Sequence, residues 1–283
     1  MIAIIDSGST KADWVITDGT KISSYNTPGL NPNFINRQNV IEIISNGILK
    51  HISASDVHKV YFYGAGCSSI EQNKIISDAF GNVFINAGIY VDHDTHGAVI
   101  STCGNDEGIA CIIGTGSNSV YFDGKKIHEN NYGLGYILAD EGAGTYLGKK
   151  LITNYFYGIL PEKLSEDFKN KYHLSRNDVI KNVYSNPSAN SWLASFAQFL
   201  NDHKKSDWVK QTVKKGFEEF IELFVMNYPK CSDIPVHFVG SIAFIYKDIL
   251  EEIAIERKLM LGKIIQKPID GLVDYFIKKE FLK

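Results

Sequence analysis

The chain has 283 residues, 44% hydrophobic and 22% charged, a composition typical of a globular protein with room for two domains. Its formal net charge is -3, and lysine and arginine are scattered along the chain, which argues against a protein that binds nucleic acid. No apolar run approaches the length of a membrane span and only four apolar residues separate Met1 from Asp6, so we expect a cytoplasmic protein without a secretory signal or a membrane partner.

The first predicted element is a hairpin with a turn of small residues. Residues 2–5 predict a buried strand, residues 12–17 predict a second strand, and Asp18-Gly19 is a hairpin dipeptide. Gly8 lies in the turn between hydroxyl side chains, so backbone N–H groups and hydroxyls could converge there on a phosphate. An ordinary β-turn explains this segment equally well. Walker and dinucleotide-binding loops are disfavoured, because both need a helix after the loop.

The first half of the chain continues with further regular elements. Residues 21–25 predict a third strand, residues 26–33 a loop rich in proline and asparagine, and residues 40–51 an amphipathic helix. Asn31 in that loop either presents its amide to a ligand or stabilises a turn. Residues 60–63 predict the next strand.

Asp94 is the most informative carboxylate in the sequence. It follows an apolar strand, residues 89–91, and begins a helix, which is where open α/β sheets place their chemistry. Two other interpretations remain open. Asp94 could be a helix N-cap, or it could belong to a metal cluster with Asp92, His93 and His96.

A second copy of the strand-turn-strand pattern starts at Ile109. An apolar strand is followed by the small-residue turn GTGSNS, a second strand and the hairpin dipeptide Asp123-Gly124. Residues 60–66 and 236–241 also resemble each other, and each precedes a helical pattern. This internal repeat predicts two related α/β domains that face each other across a cleft.

The rest of the second half is predominantly helical by pattern. Asp140 and Glu141 follow a glycine-rich stretch and precede a helix predicted from about Gly144 to Phe156, so capping of that helix is one explanation for them. Residues 161–228 carry apolar side chains at helical spacing, most simply a core. The four cysteines show no C-x-x-C spacing and are expected to be reduced.

The combination of motifs identifies a family. DSGSTKADW, DTHGA at Asp94, GTGSNS, GLG followed by ADEGAG, and FVGSIAF resemble the N-acetylglucosamine kinase and BadF/BadG-type ATPase family of the actin, hexokinase and Hsp70 superfamily. The resemblance covers nearly the whole chain. It implies an α/β fold of two duplicated ribonuclease-H-like (actin-like ATPase) domains flanking a central cleft. We assign residues 1–103 to the N-terminal domain, with a C-terminal helix at 269–283 packing back on it. Residues 104–268 form the other domain, with a helical insertion at about 150–228.

The resemblance also implies site residues. Asp94 would be the catalytic base, and Asp6 would bind the Mg²⁺ of ATP. The first phosphate loop would consist of Gly8, Ser9, Thr10 and Lys11, and the second of Gly114, Thr115 and Gly116. Gly240 and Ser241 would border the adenosine, although relatives usually have two glycines there. The sugar contacts would be Asn31, Asn118, Gly133, Gly135 and Asp140. Leu134 stands where many relatives have tryptophan.

The implied activity is that of an ATP-dependent amino-sugar kinase, and the implied oligomeric state is a homodimer. The enzyme would phosphorylate the primary hydroxyl of N-acetylglucosamine, with N-acetylmuramic acid and glucosamine as possible alternative substrates. One alternative is a BadF-type activator ATPase that drives a partner dehydratase. Such activators carry an iron–sulfur cluster, and Cys103 and Cys111 lack a convincing ligand pattern for one. The other alternative is a non-catalytic sugar sensor, for which the chain has no additional module.

Overall fold

The structure is a computed structural model that describes residues 1–128 and 130–282. Its contacts divide the chain into two compact units. Unit 1 consists of Met1–Asp106 and Lys267–Lys283, and unit 2 consists of Glu107–Gln266. The chain therefore passes from one unit to the other twice.

Unit 1 is built on a mixed five-stranded sheet. Its strands are β1 (Ile2–Ser7), β2 (Lys11–Thr17), β3 (Ile22–Pro28), β4 (Lys59–Gly64) and β5 (Gly88–His93). Their order is β3-β2-β1-β4-β5, with β1, β2 and β3 antiparallel and with β4 and β5 parallel to β1. The apolar run Ile2–Ile5 is buried on both faces, as expected for a central strand. The antiparallel register places Asp6 directly opposite Asp13.

Strand β3 is longer than the sequence predicts. Pairing with β2 continues to Pro28, which lies opposite Lys11, so the expected loop starts at Gly29 rather than at residue 26. Proline is tolerated there because β3 is an edge strand. In addition, Trp14 Nε1 donates a hydrogen bond of 2.9 Å to Thr27 Oγ1, which holds this part of β3 against β2.

Three helices cover this part of unit 1. They are α1 (Arg37–Gly47), α2 (Ile70–Val83) and α3 (Asp94–Thr102). Helix α1 starts three residues earlier than predicted because Asn36 and Asn39 form a capping box. It ends at Gly47, and a short 3₁₀ helix follows. Helices α1 and α2 pack with the sheet in one apolar cluster, in which Trp14, Phe62 and Phe80 are buried side by side.

Unit 2 repeats the strand order of unit 1. Its strands are β6 (Gly108–Ile113), β7 (Ser117–Phe122), β8 (Ile127–His128), β9 (Val236–Val239) and β10 (Leu261–Ile265). Read from β8, the order is β8-β7-β6-β9-β10, with β6, β7 and β8 antiparallel and with β9 and β10 parallel to β6. The two sheets therefore share one topology, and the predicted internal duplication is confirmed.

Helices make up most of the remainder of unit 2. They are α4 (Gly135–Leu138), α5 (Gly144–Phe156), α6 (Glu162–Tyr172), α7 (Arg176–Tyr184), α8 (Ala189–Ser195), α9 (Ala197–Asp202), α10 (Asp207–Phe224), α11 (Ser241–Ile245) and α12 (Lys247–Arg257). The apolar residues at helical spacing form the expected core: Phe168, Phe196, Phe199, Phe217 and Phe220 are all fully buried.

The final helix, α13 (Pro268–Phe281), belongs to unit 1 and packs on α3 and β1. Ile269, Leu272 and Phe276 join Ile4 and Tyr61 of the sheet in a common apolar cluster. The helix was predicted to extend to residue 283, and Lys283 lies outside the described residues. Within the described part of the chain, none of the helices has the length and hydropathy needed to span a bilayer.

Candidate active site

The turn between β1 and β2 is the first of the two predicted phosphate loops. It is tight, because the Gly8 amide donates a hydrogen bond of 2.9 Å to the Lys11 carbonyl. The segment after β3 supports it from the side: the Gly29 amide bonds the Thr10 carbonyl at 3.1 Å, and the Leu30 amide bonds Ser7 Oγ at 2.8 Å. The loop is thus anchored to a segment some twenty residues further along the chain.

Asn31 stabilises the same turn. Its side chain is only 5% exposed; Nδ2 donates to Ser9 Oγ at 2.8 Å, and Oδ1 accepts the Asn33 amide at 2.9 Å. This is the turn-forming arrangement that the sequence left open. The predicted contact between Asn31 and a sugar remains a prediction.

Three carboxylates lie close to this loop. Burial raises the pKa of Asp6 to about 8, and the charges of Asp94 and Asp13 add to the increase, whereas Lys267 opposes it. Asp94 also influences Cys67, whose thiol pKa is raised to about 12 by burial first and then by Asp94 and Asp92. The fold therefore gathers negative charge around Asp6, at the carboxyl end of β1.

Asp13 has the opposite environment. Burial alone would raise its pKa, but Lys11 and Lys267 donate to Oδ1 at 2.9 and 3.1 Å and hold the pKa below its ordinary value. Asn26 Nδ2 donates to the same oxygen at 2.6 Å. Two lysines thus share one carboxylate beside the first loop.

Asp94 is the first residue of α3. The N-cap of that helix is His93, whose Nδ1 accepts the Thr95 amide at 3.3 Å, so the interpretation of Asp94 as the N-cap is wrong. The Asp94 carboxylate lies 3.0 Å from His93 Nδ1 and is 23% exposed. Asp92 pairs instead with His96 at 2.8 Å.

The surroundings of Asp6 fit a magnesium ion better than a metal cluster held by several side chains. Among residues 1–128 and 130–282 there is no group of three or more His, Cys, Asp or Glu side chains arranged to hold a metal ion, so the alternative of a four-residue metal cluster is not supported. Mg²⁺, however, usually binds through one or two carboxylates and completes its shell with waters and substrate phosphates. Asp6, whose ionised form is disfavoured by burial and by neighbouring carboxylates, fits such a site because a cation would stabilise that form.

The second predicted phosphate loop joins β6 and β7 in unit 2. The Gly114 amide bonds the Gly116 carbonyl at 2.9 Å and closes the turn. The first amides of α5 are also attached to the loop: Gly144 bonds the Gly114 carbonyl at 2.9 Å and Thr145 bonds the Thr115 carbonyl at 3.0 Å. The start of α5 therefore fixes the loop, and no side chain caps the helix.

Asp140 is held against this second loop. It is 7% exposed; Oδ1 accepts the Ser117 amide at 3.0 Å and Oδ2 accepts Thr145 Oγ1 at 3.2 Å. Burial raises its pKa, and these two bonds oppose the increase. Its φ of +70° is unusual for a residue other than glycine. Gly116 has no space for a side chain, because a Cβ there would lie 2.9 Å from both carboxylate oxygens of Asp140.

The remaining predicted residues of unit 2 fall into two groups. Asn118 lies against Gly133, where a Cβ would come within 3.0 Å of Asn118 Nδ2, and Gly135 begins α4 with a positive φ. Gly240 follows β9 at a φ of +121°, and a Cβ there would lie 2.4 Å from the Ile113 carbonyl oxygen. Glycine is thus required at position 240 beside the second loop, and the exposed Ser241 begins α11.

Comparison with known proteins identifies the family. The sequence profile of the BadF/BadG/BcrA/BcrD ATPase family matches residues 5–272. The chain belongs to this family. No curated protein sequence matches it significantly.

Solved structures support the assignment and the fold. The structure of the "putative N-acetylglucosamine kinase" from Porphyromonas gingivalis is 39% identical, with a TM-score of 0.92, over 98% of this chain and 99% of that one. A protein of the same description from Chromobacterium violaceum is 16% identical, with a TM-score of 0.70 over 97% and 99% of the two chains. A ROK family glucokinase from Streptomyces griseus, in complex with glucose and AMPPNP, is 12% identical, with a TM-score of 0.54 over 96% and 98%. The expected actin-like ATPase fold is confirmed.

The structure of this BadF/BadG/BcrA/BcrD family member also shows three residues near the candidate site that the sequence analysis did not identify. Asp13, Lys267 and Cys67 all lie in the electrostatic environment of Asp6 or Asp94. Asp13 could have been found from the hairpin register, which pairs it with Asp6. Lys267 has no comparable signal, since it reaches Asp13 across 254 positions of sequence.

Proposed function

We propose that this chain is an ATP-dependent sugar kinase that phosphorylates the primary hydroxyl of an N-acetylated amino sugar, N-acetylglucosamine in the first place. The observation that carries the proposal is the 39% identity, over nearly the full length of both chains, to the Porphyromonas gingivalis protein described as a "putative N-acetylglucosamine kinase". The carboxylates near the first phosphate loop support it, because phosphoryl transfer to a hydroxyl needs a proton acceptor and a cation site.

Asp94 is the proposed general base. Its carboxylate is partly exposed and lies at the start of a helix, so it can accept a proton from the acceptor hydroxyl. The proton passes from the primary hydroxyl of the sugar to Asp94 as the hydroxyl oxygen attacks the γ-phosphorus; the bond from the γ-phosphorus to the β–γ bridging oxygen breaks, and ADP leaves.

The two loops are the proposed phosphate ligands. Gly8, Ser9, Thr10 and Lys11 in unit 1 and Gly114, Thr115 and Gly116 in unit 2 offer backbone amides, hydroxyls and one ammonium group. Asp6 would hold Mg²⁺, which, when bound, neutralises charge that develops on the phosphates. Asp13 keeps Lys11 in position through their 2.9 Å ion pair. Gly240 and Ser241 are the proposed neighbours of the adenosine.

The proposed sugar contacts are Asn31, Asn118, Gly133, Gly135 and Asp140. Asp140 is the main one: a carboxylate already oriented by Ser117 and Thr145 can accept bonds from sugar hydroxyls and would reject analogues that lack them. Leu134, beside Gly133, is 62% exposed and is available to contact the ligand.

The test is ATP-to-ADP turnover with Mg²⁺ against a panel of free sugars, with mass spectrometry of the products. Phosphorylation of N-acetylglucosamine would support the proposal, and phosphorylation of N-acetylmuramic acid or glucosamine would change only the substrate. ATP turnover that does not respond to any sugar would overturn it.

That last outcome would favour an activator-type ATPase that acts on a partner dehydratase. The observation behind this second candidate is the family itself, which is described as an ATPase family. None of the four cysteines, all of them among the described residues, forms a disulfide, and Cys67, Cys103 and Cys111 are buried. An absorption spectrum of protein purified without oxygen separates the two functions, since an iron–sulfur cluster absorbs visible light.

A further inference from the structure

A groove in unit 1 is lined by none of the proposed catalytic, nucleotide-binding or sugar-binding residues. It has a volume of about 680 Å³, within the range of pockets that bind small molecules, and side chains of β4, β5, α3 and α13 line it. Strand β5 is the edge strand of its sheet, so no further strand lies beside the groove. Helix α13 packs on the same face of the sheet.

Three aromatic rings form a stack along this groove. Tyr90 lies on Tyr61 at a centroid distance of 5.0 Å, and Tyr61 lies on Phe276 at 3.9 Å, with interplanar angles of 16° and 20°. Tyr61 and Phe276 are buried, whereas Tyr90 is 52% exposed. Tyr90 is therefore the accessible end of the stack. A planar ring placed on it would extend the same offset stacking.

The acidic side chains of the groove already have partners. Glu280 accepts hydrogen bonds from Lys59 Nζ at 2.6 Å and from the Tyr61 hydroxyl at 2.7 Å. Asp92 is bonded to His96 Nδ1 and to the His93 amide, both at 2.8 Å. These two carboxylates are consequently poor candidates for binding a donor group of a ligand.

Two donor groups, by contrast, lack protein acceptors within the described part of the chain. Tyr63 lines the groove, is only 8% exposed and has no hydrogen-bond partner for its hydroxyl. Burial raises its pKa above the ordinary tyrosine value, so the hydroxyl stays protonated and can donate. Lys279 Nζ lies over the rings of Tyr61, Tyr275 and Phe276 at 5.5–5.9 Å and forms no ion pair with a carboxylate. Both groups can donate to an anionic acceptor that enters the groove.

We propose that this groove binds a planar aromatic ligand that carries a carboxylate or phosphate group. The ring stacks on Tyr90, and the acidic group accepts hydrogen bonds from Tyr63 and Lys279. The proposal does not depend on the kinase activity, because none of these residues belongs to the proposed catalytic or nucleotide-binding groups.

Four probes test the two halves of the proposal by ligand-observed NMR on the full chain. Benzoate and phenyl phosphate are planar anions, benzyl alcohol is planar and neutral, and cyclohexanecarboxylate is an anion without a planar ring. We expect benzoate or phenyl phosphate to bind. Benzyl alcohol, which lacks the charge, and cyclohexanecarboxylate, which lacks the planar ring, should bind at least about fivefold more weakly. The stronger of the two planar anions identifies the acidic group.

Variants locate the binding. Lys279→Met should lower the affinity for benzoate or phenyl phosphate about tenfold. Tyr63→Phe, which keeps the ring, should lower it about threefold or more. Each substitution removes one hydrogen bond to a charged group. Lys163→Met, on a strongly exposed lysine of α6 in unit 2, is the control and should leave the affinity unchanged. Equal binding of cyclohexanecarboxylate and benzoate, binding that survives both groove substitutions, or no binding of any probe would overturn the proposal.

Discussion

At the scale of single residues, neighbouring carboxylates of unit 1 have opposite properties because their partners differ. Asp13 is bonded to two lysines and keeps a pKa below its ordinary value, whereas Asp6, opposite it on the hairpin, is buried among negative charges and has a raised pKa. The ionised form is therefore favoured at Asp13 and disfavoured at Asp6, where a bound cation would stabilise it.

The substitution Asp94→Asn tests the proposed base. It preserves size but cannot accept the hydroxyl proton, so we expect kcat to fall on the order of a hundredfold or more while ATP and sugar still bind. Turnover assays and calorimetric titrations measure the two effects separately. Asp92→Asn, two positions earlier, is the control and should retain most of the activity. A near-normal kcat for Asp94→Asn would remove this residue from the role.

His237 predicts a pH dependence of stability in unit 2. It is 7% exposed, its Nδ1 accepts the Lys263 amide at 2.9 Å, and burial first, then the charge of Lys263, lowers its pKa to about 4. The unfolded chain, with an ordinary histidine pKa of about 6.5, binds the proton first as the pH falls. The contribution is therefore complete above about pH 6.5 and is lost as the pH falls towards 4.

Urea unfolding at about pH 7.5 and about pH 4.5 measures this contribution, which should be on the order of 2 kcal/mol. His237→Asn is the matched variant, since its side-chain oxygen can replace Nδ1 as acceptor without titrating. The wild type should lose more free energy of unfolding than the variant over this interval. Equal losses would show that His237 is not the group responsible.

At the scale of elements, the loop between β6 and β7 depends on the start of α5 and on Asp140. Backbone bonds from α5 fix the carbonyl groups of the loop, and Asp140 bonds both the Ser117 amide and the Thr145 hydroxyl. A substitution in this loop should therefore displace Asp140, the proposed sugar contact, more than it disturbs the core.

Gly116→Ala tests that coupling. The added methyl group would lie 2.9 Å from both Asp140 carboxylate oxygens and must displace them, so we expect the KM for the sugar to rise on the order of tenfold. Gly114→Ala is the matched control, because no atom lies within 4 Å of a Cβ there. Sugar kinetics of the two variants make the comparison, and an equal KM for both would contradict the role assigned to Asp140.

Helix α13 offers a second matched pair. A Cβ at Gly271 would lie 2.6 Å from the Ser101 carbonyl oxygen of α3, so Gly271→Ala should destabilise unit 1 by about 1–3 kcal/mol. Gly81, in the exposed part of α2, has no atom within 4 Å of its Cβ position, and Gly81→Ala should stabilise the protein by up to about 1 kcal/mol through helix propensity. Thermal unfolding compares them. A stabilising Gly271→Ala would mean that α3 and α13 can separate at little cost.

At the scale of the whole molecule, the two units have the same strand order, and each has a loop of small residues after its first strand. ATP is an anion, so the proposed binding of its phosphates near the carboxylates of Asp6 and Asp94 would require a cation.

Removal of the metal tests this requirement. EDTA should abolish turnover and added Mg²⁺ should restore it, and Asp6→Asn should raise the Mg²⁺ concentration needed for half-maximal activity about tenfold or more, because it removes the proposed ligand. Asp18→Asn, in the exposed turn before β3, is the control. Full activity in EDTA would exclude a role for the metal.

The sequence by itself determined the elements and the duplication. Apolar strands, small-residue turns and the Asp-Gly hairpins recur in both halves, because strand and turn formation depend on short segments with a period of two and on glycine at specific positions. The extent of β3 was missed, since its pairing with β2 and the bond from Trp14 to Thr27 override the loop preference of its asparagine and proline.

Only the tertiary structure decided the environment of the carboxylates. Whether Asp6 is surrounded by Asp13 and Asp94 depends on strand register. Whether Lys267 reaches Asp13, 254 positions earlier in the sequence, depends on the return of the chain to unit 1. The same holds for the groove at Tyr90, which brings together rings from β4, β5 and α13. A pKa or a stack of rings depends on distances through space, and sequence spacing specifies those only within a single helix, strand or turn.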